Sequence, residues 1–312
     1  MRISGFSFAR NATLLYYPVA QAVASILPLV DEFVFALGEG DPADRTREAL
    51  EALGSPKLRI LDTRWDLEAF PRGMVHAQQT DLAKAQCSGD WLFYLQADEV
   101  IHERYLPLIR QRCEALLDRP DVEGLLFGYK HFWGDYAHYH RSHGWYKHEI
   151  RIVRNHPEIH SWESAQSFRR IPGFDGRSYR QQEGTHKLRV ADSGAEVYHY
   201  GWVRPPRYMK SKTQALDTIH QGAAAAEARV APLPFDYGDL SKLPRFTESH
   251  PAVMQDWIAR FDWQDELNYG QRPRSAYPLH KHEKPKYRLL SSLENLLGVE
   301  IGGFRNYVRV RA

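Results

Sequence analysis

Cysteine is scarce, with only Cys87 and Cys113 in 312 residues. Two such residues make no metal-ligand pattern and no disulfide framework, which suits a reducing cytosol. Charge of one sign is wanting too, since 41 basic against 39 acidic residues leave a formal +2. That is too little for phosphate-backbone attraction to be the business of the whole surface, so no nucleic-acid partner is expected. Long apolar runs are missing. The most apolar stretch, Leu14 to Val30, is broken by Pro18, Gln21, Ser25 and Pro28, and falls short of the roughly 18 uninterrupted residues of a membrane span. Met1-Arg2-Ile3-Ser4-Gly5 lacks the apolar core of a signal peptide. A cytoplasmic protein is expected, neither secreted nor integral to a membrane. No G-x-G-x-x-G and no Walker-type lysine occurs, so dinucleotide and P-loop readings lose support.

What is present is an ordinary globular balance, 43% hydrophobic and 26% charged, in a chain long enough for about two domains. The first half alternates strand and helix patterns. Strands are predicted over Arg2–Phe8, Phe33–Leu37, Leu58–Leu61, Trp91–Leu95 and Gly124–Tyr129. Between them, helices are predicted behind Pro18, over Arg45–Leu53, over Met74–Cys87 with Gly89 placed to end it, and over Glu103–Leu117. Such alternation implies a mostly parallel sheet with helices on both faces. Ligands then bind beyond the carboxyl ends of the strands. From His131 to Trp162 the chain is dense in His, Trp and Tyr, and irregular strands and loops laid over one end of the sheet are expected. A helix over Tyr208–Arg229, a Pro-rich connection over 232–250, a helix near Ala252–Phe261 and a basic amphipathic end over Lys284–Leu297 follow.

Polar clusters after strands are the places to seek chemistry. Gln96-Ala97-Asp98-Glu99 follows an apolar strand, and a hard cation such as Mg²⁺ typically takes one or two protein carboxylates plus substrate phosphates. The same residues could equally form a helix N-cap and first turn. Gly38 to Thr46 brings glycines that let backbone approach a ligand, and carboxylates that can accept from a base or ribose. A polar turn with Asp44 capping the next helix fits as well. His131, His138, His140, His143 and His148 have no cysteine nearby and no H-E-x-x-H helix, which disfavours zinc. Trp133, Tyr136, Trp145 and Tyr146 suit either a sugar-binding cleft or the core of a smaller subdomain.

Over roughly residues 1 to 205, the order of these segments resembles the family 2 glycosyltransferases. Four blocks carry the resemblance: Phe8-Ala9-Arg10-Asn11; Val30-Asp31-Glu32-Phe33-Val34 through Asp44-Arg45-Thr46; Gly89-Asp90-Trp91 through Gln96-Ala97-Asp98-Glu99; and His148-Glu149 through Ser161-Trp162-Glu163. The sequence departs from the family pattern at Ala12, Glu39, Pro42 and Gln96. Gln96 replaces the first Asp of the D-x-D motif, so Asp98 remains as the direct metal ligand.

The resemblance implies an α/β GT-A fold, Rossmann-like, with a catalytic domain over 1–205 and a helical C-terminal extension over 206–312. It implies a transferase that moves a sugar from a nucleoside-diphosphate sugar to a hydroxyl of a polysaccharide, lipopolysaccharide or other glycan, with inversion and with Mg²⁺ or Mn²⁺. UDP is foremost among the bases, with GDP and dTDP open. Phe8, Arg10, Glu39, Asp41, Asp81, Gln96, Asp98 and Arg204 are expected at the donor nucleotide, and Asp98 and His199 at the metal. Arg204 and Lys210 would neutralise the leaving nucleotide. Glu163 is expected as the general base, with Asp135 and Glu149 as competitors. The acceptor is a glycan or lipid-linked glycan, and the segment from Lys284 to Leu297 either rests on an anionic membrane or packs on its own domain. Two rivals stand beside this reading. One is a catalytically inactive carbohydrate- or nucleotide-binding relative, suggested by Gln96. The other is a nucleotidyltransferase, which would need a Gly-rich basic loop where Phe6 to Thr13 has no glycine.

Overall fold

A computed structural model of the chain describes residues 1–222, 226, 234–273, 275–298, 301–302 and 305–311. Its centre is built from β1 (Ile3–Ala9), β2 (Glu32–Gly38), β3 (Leu58–Thr63) and β4 (Trp91–Tyr94), paired in parallel in the order β3-β2-β1-β4. Strand β2 shows why the apolar runs pair this way. Phe33, Phe35 and Leu37 enter the core on one side, Val34 and Ala36 the core on the other, as the period-2 alternation of a strand buried on both faces requires. Helices α1 (Val19–Ile26), α2 (Thr46–Glu51) and α4 (Leu106–Ala115) cover the first face through Val23, Leu50 and Ile109. Helix α3 (Met74–Lys84) covers the second through Ala83. The expected Rossmann-like α/β layering is present.

Two local expectations change. Helix α3 ends at Ala85 without help from Gly89. Gly89 serves β1 instead, donating its N–H to Ser4 Oγ at 2.8 Å where a Cβ would stand 2.7 Å from the Ser4 nitrogen. The histidine- and tryptophan-rich stretch is not merely laid over one end of the sheet. Its segment β8 (His148–Arg154) runs antiparallel in the middle, between β4 and β6 (Gly124–Trp133). Glu149 to Val153 is strand-like in sequence, and what the structure adds is its central place, with Arg151 buried beside Ile150, Ile152 and Val153.

The path continues from β6 to the long β11 (His186–Trp202), then to β10 (Ser167–Arg170) and β9 (Ile159–Trp162). The short β5 (Glu99–Ile101) pairs antiparallel with β11, and β7 (Tyr139–His140) with β6. Beyond residue 205 come α5 (Pro206–Gln221), α6 (Gln255–Ile258) and α7 (Pro285–Leu297), and β12 (Tyr307–Arg309) returns to pair with β11. Apart from Ala226, the part of the expected Tyr208–Arg229 helix after Gly222 lies outside the described residues. Residues from this half share one aromatic core with the sheet, where Phe132, Trp133, Tyr198 and Tyr200 meet Met209, Tyr237, Trp257 and Trp263. Trp133 and Tyr136 belong to that core.

Candidate active site

The chain leaves β4 through Gln96 to Glu99, and the three polar side chains take different positions. Glu99 is buried and held on every side. Arg151 donates to both of its oxygens at 2.7 Å, Tyr129 donates its hydroxyl at 2.7 Å, and the Gln96 N–H donates at 3.1 Å. The Gln96 amide donates to the Ala165 carbonyl at 3.2 Å. Asp98 is the carboxylate left over, and its Oδ2 faces His199 Nε2 on β11 at 3.6 Å.

The bond network settles which His199 nitrogen carries hydrogen. His131 Nε2 lies 2.7 Å from the Tyr146 carbonyl, which can only accept, so Nε2 is the protonated nitrogen of His131. Burial, reinforced by His199, holds the His131 pKa well below the usual imidazole value, so the ring is neutral and its Nδ1 is bare. His199 Nδ1, 2.9 Å away, must therefore donate to it. His199 Nε2 is the nitrogen left to face Asp98. This is how a histidine is prepared to ligate a metal, its second nitrogen fixed by an acceptor behind it.

Space is kept open beside the pair. A Cβ on Gly201 would stand 2.6 Å from His199 Nε2 and closer still to Asp98 Oδ2. The Gly201 carbonyl is in turn held by the Lys212 ammonium and by Arg204 at 2.8 Å. Lys212 lies on α5 with its Nζ 4.4 Å over the Trp202 ring. Arg204 also donates to the Leu15 carbonyl and sits 4.5 Å over the Tyr17 ring. Burial by itself would raise the Asp98 pKa, but His199, Lys212 and Arg204 outweigh it and hold the carboxyl well below the usual range. The donor set fits a divalent cation: one anionic oxygen and one imidazole nitrogen, with remaining positions for phosphate oxygens. Among the described residues no group of three or more His, Cys, Asp or Glu side chains is placed to hold a metal. Lys210 is exposed, whereas Lys212 shares the inward face with Met209. Lys212 is not among the sequence candidates, and its three-residue helical spacing from Met209 is the signal that could have found it.

Across the ends of β2 and β3 lies a groove of about 440 Å³ lined by Leu37, Glu39, Asp41, Asp44 and Arg64 among others. Glu39 pairs with Arg64 at 3.1 Å. Asp41 is positioned by Asn11, whose Oδ1 accepts its N–H at 2.7 Å, and Asp44 accepts the Thr13 hydroxyl at 2.5 Å. Phe8 closes β1 with its ring 5.9 Å from Trp65 and 5.4 Å from His76. Arg10 lies over the same Trp65 ring at 5.9 Å. Among the described residues, Arg10 Nε and Trp65 Nε1 are buried donors without a partner, which marks a place where another molecule would satisfy them. Trp65 follows β3 and carried no motif in the sequence. Asp81 is placed elsewhere: His160 takes one oxygen at 2.8 Å and the Ser161 N–H the other at 2.9 Å, pinning α3 to β9.

Glu163 opens the turn between β9 and β10 with a left-handed φ of +57°, and Ala165 in the same turn has +62°. Uncommon for residues other than glycine, such angles persist where surrounding structure imposes them. Here the Glu163 N–H donates to Tyr179 and the Ala165 carbonyl receives Gln96. The turn is thereby tied to the exit of β4. The Glu163 carboxylate is part-exposed, with Arg180 4.0 Å away. On β8, burial pushes the Glu149 pKa up to about 7 despite Arg151, and among the described residues its Oε2 has no hydrogen-bond partner. Asp135 is occupied by His138 at 2.9 Å and Tyr269 at 3.1 Å inside the C-terminal aromatic region.

No family model matches the chain, and no curated protein matches it. Solved structures similar to it include glucosyl-3-phosphoglycerate synthase from Mycobacterium tuberculosis in complex with Mn²⁺, UDP and phosphoglyceric acid. That match is 20% identical over 41% of this chain and 43% of the synthase, with a TM-score of 0.29. The S. aureus protein TarS matches at 13% identity over 73% of this chain and 42% of TarS, with a TM-score of 0.39. Its 1–349 fragment matches at 15% identity, 73% of this chain and 68% of the fragment, with a TM-score of 0.38. The chain thus spans less than half the length of the synthase and of full TarS.

Proposed function

We propose that this protein is a glycosyltransferase that moves a sugar from a nucleoside-diphosphate sugar to a hydroxyl of a glycan acceptor, with inversion at the anomeric carbon. The observation that carries the reading is the Asp98–His199 pair, 3.6 Å apart in the cradle of Gly201, together with the donors of Arg10 and Trp65 that no described residue satisfies. Nucleobase and ribose would occupy the groove, where Glu39 and Asp41 can accept their N–H and O–H groups and the Phe8–Trp65 rings offer a stacking surface. Asp98 and His199 would hold Mg²⁺ or Mn²⁺, which when bound offsets the charge of a departing diphosphate. Arg204 adds fixed positive charge near Asp98, which favours a leaving group that gains negative charge.

An acceptor hydroxyl is too weak an acid to ionise in advance, so its proton leaves as the new C–O bond forms. Glu163 is the carboxylate we assign to take it, because its turn is hydrogen-bonded to Gln96 and its side chain is open to solvent. Glu149 is the second candidate, favoured by its raised pKa and unpartnered oxygen. The test is Glu163→Gln beside Glu149→Gln, each assayed for sugar transfer and separately for nucleotide binding. Losing the base should lower turnover roughly 10²–10⁴-fold with nucleotide affinity kept. A Glu163→Gln enzyme within a few-fold of wild type would pass the role to Glu149. Failure of the wild-type chain to release a nucleoside diphosphate from any of UDP-, GDP- or dTDP-sugars would favour an inactive binding relative.

A further inference from the structure

Helix α7 docks on the body of the protein by its one carboxylate and leaves its leucines outside. Glu294 is the buried residue of the helix. Its oxygens accept from His143 at 2.8 Å, Lys147 at 2.9 Å and the Ile301 N–H at 2.9 Å. Ser291 accepts the His143 N–H at 2.8 Å beside it. Leu289, Leu293, Leu296 and Leu297 are 64%, 39%, 81% and 60% exposed. Their offsets of four, seven and eight residues from Leu289 put them on one helical face. A helix that packs by its apolar face would be turned the other way, and a contiguous exposed apolar strip of this kind marks a contact surface.

Charge says which contact. Lys284, Lys286 and Arg288 are exposed at the start of the same helix, and from Lys284 to Gly298 the sole acidic residue is Glu294, which faces inward. A second copy meeting this face about a two-fold axis would set like charges against each other with no helical carboxylate between them. An anionic surface suits this charge, with Lys286 on the leucine face itself, three residues before Leu289, and Lys284 and Arg288 flanking it. We propose that α7 lies in the interfacial layer of an anionic lipid bilayer, with the four leucines below the headgroups and Lys284, Lys286 and Arg288 at their phosphates. At 13 residues the helix is too short to cross, since a span needs about 20. The proposal is independent of the catalytic reading.

The test is flotation of the full chain with vesicles of phosphatidylcholine alone or mixed with phosphatidylglycerol. Wild type should bind the mixed vesicles at least about tenfold more tightly than the neutral ones, and less tightly as salt is raised. Leu296→Ser/Leu297→Ser and, separately, Lys284→Glu/Lys286→Glu should each weaken that binding about tenfold or more while leaving the melting temperature unchanged, because the altered side chains are exposed. No binding of wild type to the mixed vesicles overturns the proposal. So does binding that both variants retain, or a solution dimer that the leucine variant dissociates.

Discussion

Arg151 meets Glu99 through two parallel contacts of 2.7 Å, Nε to Oε2 and Nη2 to Oε1, with both side chains fully buried. The pair straps β8 to the exit of β4, and it explains why Asp98 and not its neighbour is the carboxylate left beside His199. Breaking a buried pair leaves an uncompensated charge, so Arg151→Met should cost about 3–5 kcal/mol of stability. Urea unfolding of the variant checks this. A loss under 1 kcal/mol would mean water reaches the pair, by the surface-pair scale.

Gly201→Ala tests the cradle. The added methyl would overlap Asp98 Oδ2 and His199 Nε2, while the surrounding sheet is untouched. Calorimetry should show loss of Mn²⁺-dependent nucleotide binding by about tenfold or more, the range for disturbed metal sites. Unfolding should remain cooperative near the wild-type midpoint.

His131 is a positioning residue in this scheme. His131→Phe keeps a ring in the pocket but removes the acceptor that fixes the His199 hydrogen on Nδ1. Losing the acceptor behind a ligating histidine weakens metal affinity about 10- to 100-fold. A ¹⁵N spectrum of the histidines should show His199 changing tautomer, a signal that simple loosening of the core would not produce.

Glu39→Ala should weaken binding of the free nucleotide. A charge-assisted bond contributes about 1.5–3 kcal/mol, corresponding to roughly 10- to 100-fold in Kd. The partner Arg64 sits at the mouth of the same groove, so Arg64→Ala separates loss of the bond to ligand from loss of the ion pair. An unchanged Kd in Glu39→Ala removes the residue from the base site.

Acid should destabilise the fold early. Burial, aided by His220, lowers His76 to about 3 from 6.5. Burial likewise lowers His250 to about 4, and burial with His280 lowers His282 to about 3. These imidazoles stay neutral when folded, whereas the unfolded chain takes up protons from about pH 6.5 downward. Their contribution is complete above that pH and is lost progressively as pH falls toward 3–4. Denaturation midpoints at pH 7.5 and 5.0 measure it, with the lower value expected at pH 5.0.

Local chemistry made much of this protein readable from its residues. Apolar runs such as Phe33 to Leu37 and the three- and four-residue recurrence behind Pro18 determine strand and helix because those periods reflect backbone geometry alone. The polar cluster ending in Asp98 had to emerge at a strand end for the same reason. Long-range pairing decided the rest. The strand-like run Glu149 to Val153 takes its place in the middle of the sheet with Arg151 buried because Glu99, 52 positions away in sequence, neutralises that charge. Asp81 reads as a free helix carboxylate until β9 claims both its oxygens. The inward choice of Lys212 over Lys210, the hydrogen placement on His199 and the outward turn of the α7 leucines each depend on partners remote in sequence. A residue's own type sets what it can bond; the tertiary structure alone decides which partner is within reach.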